Sequence, residues 1–154
     1  MYKFNVQLKL GEKGEMFLDK FFSEEYLIKP VSMGEQRKGI DRIFEHKRTG
    51  RVLKVEYKTD ELASGTGNAF IETISVDSTN KPGWAYSSKA DYLLYYVTGD
   101  ELIYIITLNN LRKNLEKWEK KYRKAKAKND GYYTHGILVP LREFEIHAEQ
   151  VLSV

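Results

Sequence analysis

Two short alternating runs joined by a turn constrain this chain most. They are Gly39-Ile40-Asp41-Arg42-Ile43-Phe44 and Arg51-Val52-Leu53-Lys54-Val55-Glu56-Tyr57-Lys58, separated by a turn over residues 46–50 that ends at Gly50. The spacing predicts two strands, at about 40–45 and 51–58, folded back on each other. Residues two apart on a strand share a face. Glu56 and Lys58 therefore point one way and Val55 and Tyr57 the other. A return after Gly50 brings Asp41 near Glu56. Two carboxylates and an amine then gather at one place on a small sheet, which suits a hard divalent cation and an activated water.

The remaining chain must supply a body for that hairpin. Its 154 residues, 42% hydrophobic and 31% charged, suit one globular domain with its own core. It contains no cysteine, so thiolate metal sites and disulfides are excluded, and a reducing compartment is compatible. His46, His135 and His147 lack zinc-motif spacing, which leaves oxygen ligands for any metal. No apolar run approaches the ~20 residues of a membrane span, and the first residues lack signal-peptide organisation. The expectation is a cytoplasmic protein without membrane association. The formal net charge of +3 is unevenly spread: residues 112–128 carry +7, and the remainder sums to −4. A basic arm on an acidic body fits a polyanion-binding surface, or a solvated helix face.

Taken in order, residues 2–10 alternate loosely and read as a short strand or extended arm. A helix follows from about residue 11 to 25, with Phe17, Leu18, Phe21 and Phe22 as its buried face and Glu12, Glu15 and Asp19 on another. Gly14 would let that helix approach the sheet closely. Residues 26–33, with Pro30, read as an edge strand, and residues 34–39 as a basic loop. Residues 59–69 read as a mobile Gly/Ser/Thr-rich loop; they lack the ending of a P-loop. Further strands are expected at 70–76, 90–97, 101–108 and 135–141, with a loop over 77–88. A helix over 109–128 carries the stripe Leu108, Leu111, Leu115, Trp118, Tyr122 and Ala125, and a tail follows as a short helix or strand. The fold class is α+β or mixed α/β, a central sheet flanked by helices.

Phosphodiester hydrolysis needs a nucleophilic water and stabilisation of charge at phosphorus and the leaving oxygen. Carboxylate-bound magnesium serves both, and a neighbouring lysine can act as base or electrostatic partner. Asp41, Glu56 and the Tyr57 main-chain carbonyl are the expected metal ligands. Lys58 is the expected base or electrostatic partner. Glu15 would complete the site from the first helix.

Glu15 after Gly11-Glu12-Lys13-Gly14, then Gly39-Ile40-Asp41, then Val55-Glu56-Tyr57-Lys58, resembles the PD-(D/E)xK nuclease superfamily over about residues 11–97. Restriction enzymes, Holliday-junction resolvases and one class of homing endonuclease belong to it. The 14 residues between Asp41 and Glu56 are ordinary for that hairpin. Ile40 stands where the family's proline would be. The resemblance implies a restriction-endonuclease-like core with a mixed sheet of four to five strands. It also implies a site dependent on Mg2+, with Mn2+ as a substitute, in which Asp41, Glu56, Lys58 and Glu15 are catalytic. Lys81-Pro82-Gly83-Trp84 and the segment from Ser87 to Tyr92 are similar to segments of small phage-type or intron-type members, in which Asp91 would cap or orient Lys89.

The expected substrate is DNA, double-stranded or branched, cut by a single domain spanning 1–154 with a basic C-terminal helix and tail. Arg37, Lys38, Lys81 and Lys89, with Lys113, Lys117, Lys120 and Lys124 on the long helix, are the candidate phosphate contacts. Residues 59–69 and the segment around Asn80 are candidates for base contacts. One site per chain and two strands to cut imply a homodimer or homotetramer, with the 108–125 stripe as a candidate contact. The favoured reading is sequence-specific double-strand cleavage of homing or restriction type. The alternatives are a Holliday-junction resolvase and a non-catalytic nucleic-acid-binding domain.

Overall fold

The computed structural model describes residues 4–154. It runs α1 (Phe4–Phe22), β1 (Tyr26–Pro30), α2 (Met33–Arg37), β2 (Arg42–His46), β3 (Val52–Asp60), α3 (Ala63–Thr66), β4 (Asn68–Val76), β5 (Lys81–Pro82) and α4 (Trp84–Ser87). It continues with β6 (Tyr92–Val97), β7 (Leu102–Thr107), α5 (Leu108–Lys121), β8 (Lys124–Lys128), β9 (Tyr133–Pro140), α6 (Leu141–His147) and β10 (Gln150–Ser153). The strands form two sheets. The larger is mixed, six-stranded, in the order β1-β2-β3-β6-β7-β10; the smaller has the order β5-β4-β9-β8. Only β3 and β6 pair in parallel in the larger sheet, while its other neighbours and all of the smaller sheet are antiparallel.

Strand alternation decides how these layers stack. On one face of the large sheet Phe44, Val55, Tyr57 and Leu94 bury against Leu18 and Phe22 of α1. On the other face Leu93, Tyr95, Val97 and Ile106 join Ile71 and Ile137 of the small sheet, Leu111, Leu115 and Trp118 of α5, and Phe144 of α6. The large sheet is thus a middle layer, covered on both sides. The fold is α+β with a central mixed sheet flanked by helices, as the residue pattern predicts, although the sheet has six strands rather than four or five and a second sheet packs on it. Among the described residues no helix is long and apolar enough to cross a membrane.

Several local expectations are corrected. The first helix begins at Phe4, so residues 4–10 are neither strand nor arm, while residues 2 and 3 lie outside the described residues. Leu18 and Phe22 are buried on it, but Phe17 and Phe21 are 36% and 38% exposed, because the helix covers the sheet with a stripe narrower than these four apolar positions. Residues 33–37 form a helical turn capped by Ser32, whose side chain accepts the Glu35 N–H. The 59–69 segment is structured rather than mobile. The Asp60 carboxylate accepts the N–H groups of Leu62 and Ala63 at 2.9 Å each, and Ala63 is fully buried beneath it. The 77–88 segment contains β5 and α4.

The long helix stops at Lys121, not residue 128. Beyond it Lys124-Ala125-Lys126-Ala127-Lys128 alternates with period two and pairs with β9 as a strand. Helical propensity of Lys and Ala yields there to the ladder offered by β9. The apolar stripe of α5 faces inward: Leu108, Leu111, Leu115 and Trp118 are each at most 2% exposed, so that stripe is not available as a subunit contact. The tail forms both a helix, α6, and a strand, β10.

Candidate active site

Asp41 immediately precedes β2, and its N–H donates to the Val55 carbonyl at 2.8 Å. Its side chain is anchored too: Oδ2 accepts the Tyr57 N–H at 2.8 Å. The hairpin therefore holds Asp41 beside the middle of β3, where Glu56 is buried and Lys58 follows on the same face. Lys58 Nζ stands 3.5 Å from Glu56 Oε1. The other oxygen, Glu56 Oε2, is buried without a hydrogen-bond partner. An unpaired buried carboxylate oxygen is costly, and among the described residues no other buried side-chain nitrogen or oxygen is left so.

The surroundings explain the electrostatics. Burial pushes the Glu56 carboxyl above its ordinary range, helped by the Asp41 charge and against the pull of Lys58 and of the nearby Ser88 hydroxyl, which lies outside hydrogen-bonding geometry to Oε2. Burial would lower the Lys58 ammonium, but Glu56, Glu72 and Asp41 outweigh it and hold the pKa above its usual value. Glu72 comes from β4 on the small sheet. It is raised by burial, against the pull of Lys58, and its Oε2 accepts the Trp84 N–H at 3.4 Å. Lys58 Nζ lies 5.8 Å from the centre of the Trp84 ring. Gly83 makes this close approach possible, since a Cβ there would sit 2.6 Å from the Glu72 carbonyl carbon.

The loop before Asp41 is fixed by the α4 region. Gly39 has φ +75°, and a Cβ on it would meet Ser88 Cα at 2.8 Å. Ser88 Oγ donates to the Gly39 carbonyl at 2.7 Å, and the Lys89 N–H donates to the Lys38 carbonyl at 2.7 Å. Arg112 reaches in from α5 and donates to the carbonyls of Ala85 and Ser88. It also lies within the field of Glu56.

Glu15 arrives from α1 as the sequence suggests, because Gly14 packs against β3: a Cβ there would be 2.8 Å from Thr59 Cβ. Burial raises its pKa, and the Asp41 charge adds to that. Yet its Oε1 is 3.3 Å from Arg42 Nη1, so it is engaged by a cation of the fold. Arg42 also donates from Nε to Asp19 Oδ1 at 3.1 Å and from Nη1 to the Asp41 carbonyl at 2.8 Å. The Tyr57 hydroxyl donates to Asp19 at 2.8 Å. Asp19 and Arg42 thus form a second, satisfied network behind Asp41.

Among the described residues no three Asp, Glu or His side chains converge as a metal cage. The donor set is a carboxylate pair, Asp41 and Glu56, with the Tyr57 carbonyl next in the chain. Magnesium suits such a set, since it takes one or two carboxylates and keeps several waters. The unpaired Glu56 Oε2 supplies a lone pair for it, so the residues fit the ion.

Of the cations predicted to touch phosphate, Arg37 ends α2, Lys38 and Lys89 lie side by side on the loops next to Asp41, and all three are exposed, as is Lys81 on β5. Lys113, Lys117 and Lys120 are exposed on α5; Lys117 pairs with Glu143 at 3.5 Å and Lys120 with Glu116 at 3.1 Å. Lys124 lies on β8, not on the helix. Asp91 does not orient Lys89. It accepts the Lys54 N–H at 2.9 Å and so pins the start of the β3–β6 pairing. Sequence reasoning missed Glu72, Arg42 and Arg112. Asp19 carried a signal, standing four residues after Glu15 on one helical face, whereas Glu72 carried none beyond its place in an alternating strand.

No protein-family model matches this chain, and no curated protein matches it. A solved structure to which it is similar is that of a bacterial homing endonuclease, I-Ssp6803I, with 19% sequence identity and a TM-score of 0.49 over 86% of this chain and 89% of that one.

Proposed function

We propose that this protein is a single-domain, magnesium-dependent DNA endonuclease of the PD-(D/E)xK type. The observation that carries the reading is the unpaired, buried Glu56 Oε2 beside Asp41 and a charged lysine. A fold that leaves one carboxylate oxygen unpaired in its interior sacrifices stability there, and an incoming cation would restore it. Asp41 and Glu56, with the Tyr57 carbonyl, are the residues that would hold the ion. Bound magnesium would supply an acidified water and offset charge on the reacting phosphate.

The chain's own groups do the rest. The Asp41 carboxylate is oriented by the Tyr57 N–H, so its free oxygen is pre-aimed. Lys58 stands 3.5 Å from Glu56 Oε1 and beside the Trp84 ring, where its amine would orient or deprotonate the attacking water or donate to a phosphate oxygen as charge develops. Glu15, tied to Arg42, stands at the outer edge and acts through water. The exposed Arg37, Lys38, Lys81 and Lys89 would bind flanking phosphates, with Lys113, Lys117, Lys120 and Lys124 adding further basic surface. Sequence-specific cutting of duplex DNA of homing or restriction type, by a symmetric oligomer, is the form of the activity we favour.

Incubation with Mg2+ and a random-sequence plasmid library, four-way junctions or single strands tests this reading. Discrete duplex fragments support it, and symmetrical nicks in junctions alone would reassign the protein as a resolvase. Absence of cleavage with every metal, together with no Mg2+-induced rise in Tm, would sink the metal site itself.

A further inference from the structure

Strand β8 carries Lys124, Lys126 and Lys128 at alternate positions, all exposed. Its register with β9 sets Lys124 opposite Ile137, Lys126 opposite His135 and Lys128 opposite Tyr133. Paired residues share a face in an antiparallel ladder, so the three ammonium groups form one row, spaced by ~6.7 Å, two strand residues. Lys126 Nζ lies 4.5 Å from the centre of the Tyr133 ring, which holds the middle of the row in place. Lys121 and Arg123 precede the row, and the Arg123 carbonyl accepts the Leu138 N–H at 2.9 Å, fixing the turn out of α5 onto β9. Among the described residues none of these five cations is in an ion pair. By contrast Lys117 and Lys120 on α5 both have carboxylate partners.

Like charges in a row repel one another, and no described carboxylate offsets them here. Lysine on an edge strand is one way to block edge-to-edge pairing, and that alone would account for one or two of them. It does not call for three in one row with no described carboxylate beside any of them, next to two further unpaired cations, Lys121 and Arg123. β9 separates β8 from β4, so the lysine row lies ~10 Å, two inter-strand spacings, from the strand that carries Glu72; its register with Ile137, His135 and Tyr133 puts it on the other face of the small sheet from Glu72, which shares its row with Gly136 and Ala125.

We propose that β8 and the turn before it are a track for the phosphate backbone of duplex DNA, engaged beyond the cleavage site and without reading sequence. The inference rests on the nuclease reading for its choice of polyanion. Alternate lysines on a strand match the step between successive phosphates along a DNA strand, and every contact releases counterions.

Fluorescence anisotropy of a labelled random-sequence duplex, without divalent metal and over a range of salt, compares the parent with K124Q/K126Q/K128Q and with the triple arginine variant. The glutamine variant should bind at least ~10-fold more weakly at low salt, with a log K against log salt slope shallower by ~2.7, or 0.9 per lost contact. The arginine variant should bind like the parent, and both should keep the parent's circular dichroism spectrum. An unchanged slope overturns the proposal, as does a glutamine variant whose only defect is self-association or loss of binding to phosphatidylserine vesicles. A parent that never cuts DNA but shows this lysine-dependent slope leaves the track standing while the nuclease reading falls.

Discussion

Two charged clusters flank Asp41, one on each face of β3, and they are built to different standards. Behind Asp41, on the α1 side, Asp19, Arg42, Glu15 and the Tyr57 hydroxyl satisfy one another. Arg42 uses Nε, Nη1 and Nη2, and Asp19 uses both oxygens. On the other side, Glu56, Lys58 and Glu72 share a single ion pair at 3.5 Å and leave Glu56 Oε2 without a partner. The same strand thus has a structural face and a frustrated one. Compensated networks hold folds together, and uncompensated buried charge marks the place where a ligand completes the chemistry.

The contrast is tested most directly at the frustrated face. Glu56→Gln and Asp41→Asn should each reduce plasmid cleavage by more than ~100-fold, beyond the loss expected from an outer partner of a metal ligand. Lys58→Ala should lower cleavage by about 100-fold while leaving the Mg2+-induced rise in Tm in place. Glu56→Gln should abolish that rise and keep a metal-free Tm no lower than the parent's. A large metal-free loss of stability in Glu56→Gln would show that the cluster is structural after all.

The satisfied face should behave the opposite way. Asp19→Ala strands Arg42 and the Tyr57 hydroxyl, and denaturant unfolding should report a loss of about 2 kcal/mol. Cleavage by the surviving folded protein should fall less than in Glu56→Gln. Gly39→Ala probes the shared support. A side chain at φ +75° costs about 1–2 kcal/mol, and the contact with Ser88 adds to it.

The smallest effect is a sign difference with pH. Burial raises the Glu56 pKa above its ordinary 4.5, so the folded state binds that proton more tightly than the unfolded chain. Ionising Glu56 therefore removes stability as pH rises from 4.5 through the raised pKa, and Glu56→Gln should recover it at pH 7. Glu143 has the opposite shift: the Trp118 indole N–H holds its carboxyl below 4.5, helped by His147 and Lys117. Its stabilisation is present above 4.5 and lost as pH falls through the lowered value. Glu143→Gln should lower Tm at pH 7 and converge on the parent in acid.

Much of the frustrated cluster is legible in the residue pattern. Strand alternation alone puts Glu56 and Lys58 on one face, and the turn at Gly50 brings Asp41 back to them, because both are consequences of local geometry. Gly14 likewise signals the close approach of α1. The fourth charge of the cluster is not legible. Glu72 lies on the second sheet, reached through the long crossover between β3 and β6, and its meeting with Lys58 depends on how the two sheets stack. Arg42 reads as a polar position in a strand until α1 is laid across it with Asp19 and Glu15.

The end of α5 shows the same limit in backbone terms. Lysine and alanine favour a helix, and the basic run continues one smoothly, so local propensity alone extends it to residue 128. The partner strand β9 lies beyond the turn at Gly131, and only its pairing supplies the hydrogen bonds that make residues 124–128 a strand. The hairpin, the acid pair with its lysine and the alternating strands are written in the order of the residues, since they follow from periods of two and three to four. The second sheet, the pairing of Glu15 with Arg42 and the exposure of the lysine row arise only when the whole chain packs. Each depends on contacts between segments distant in the chain, whose free energies no local pattern records.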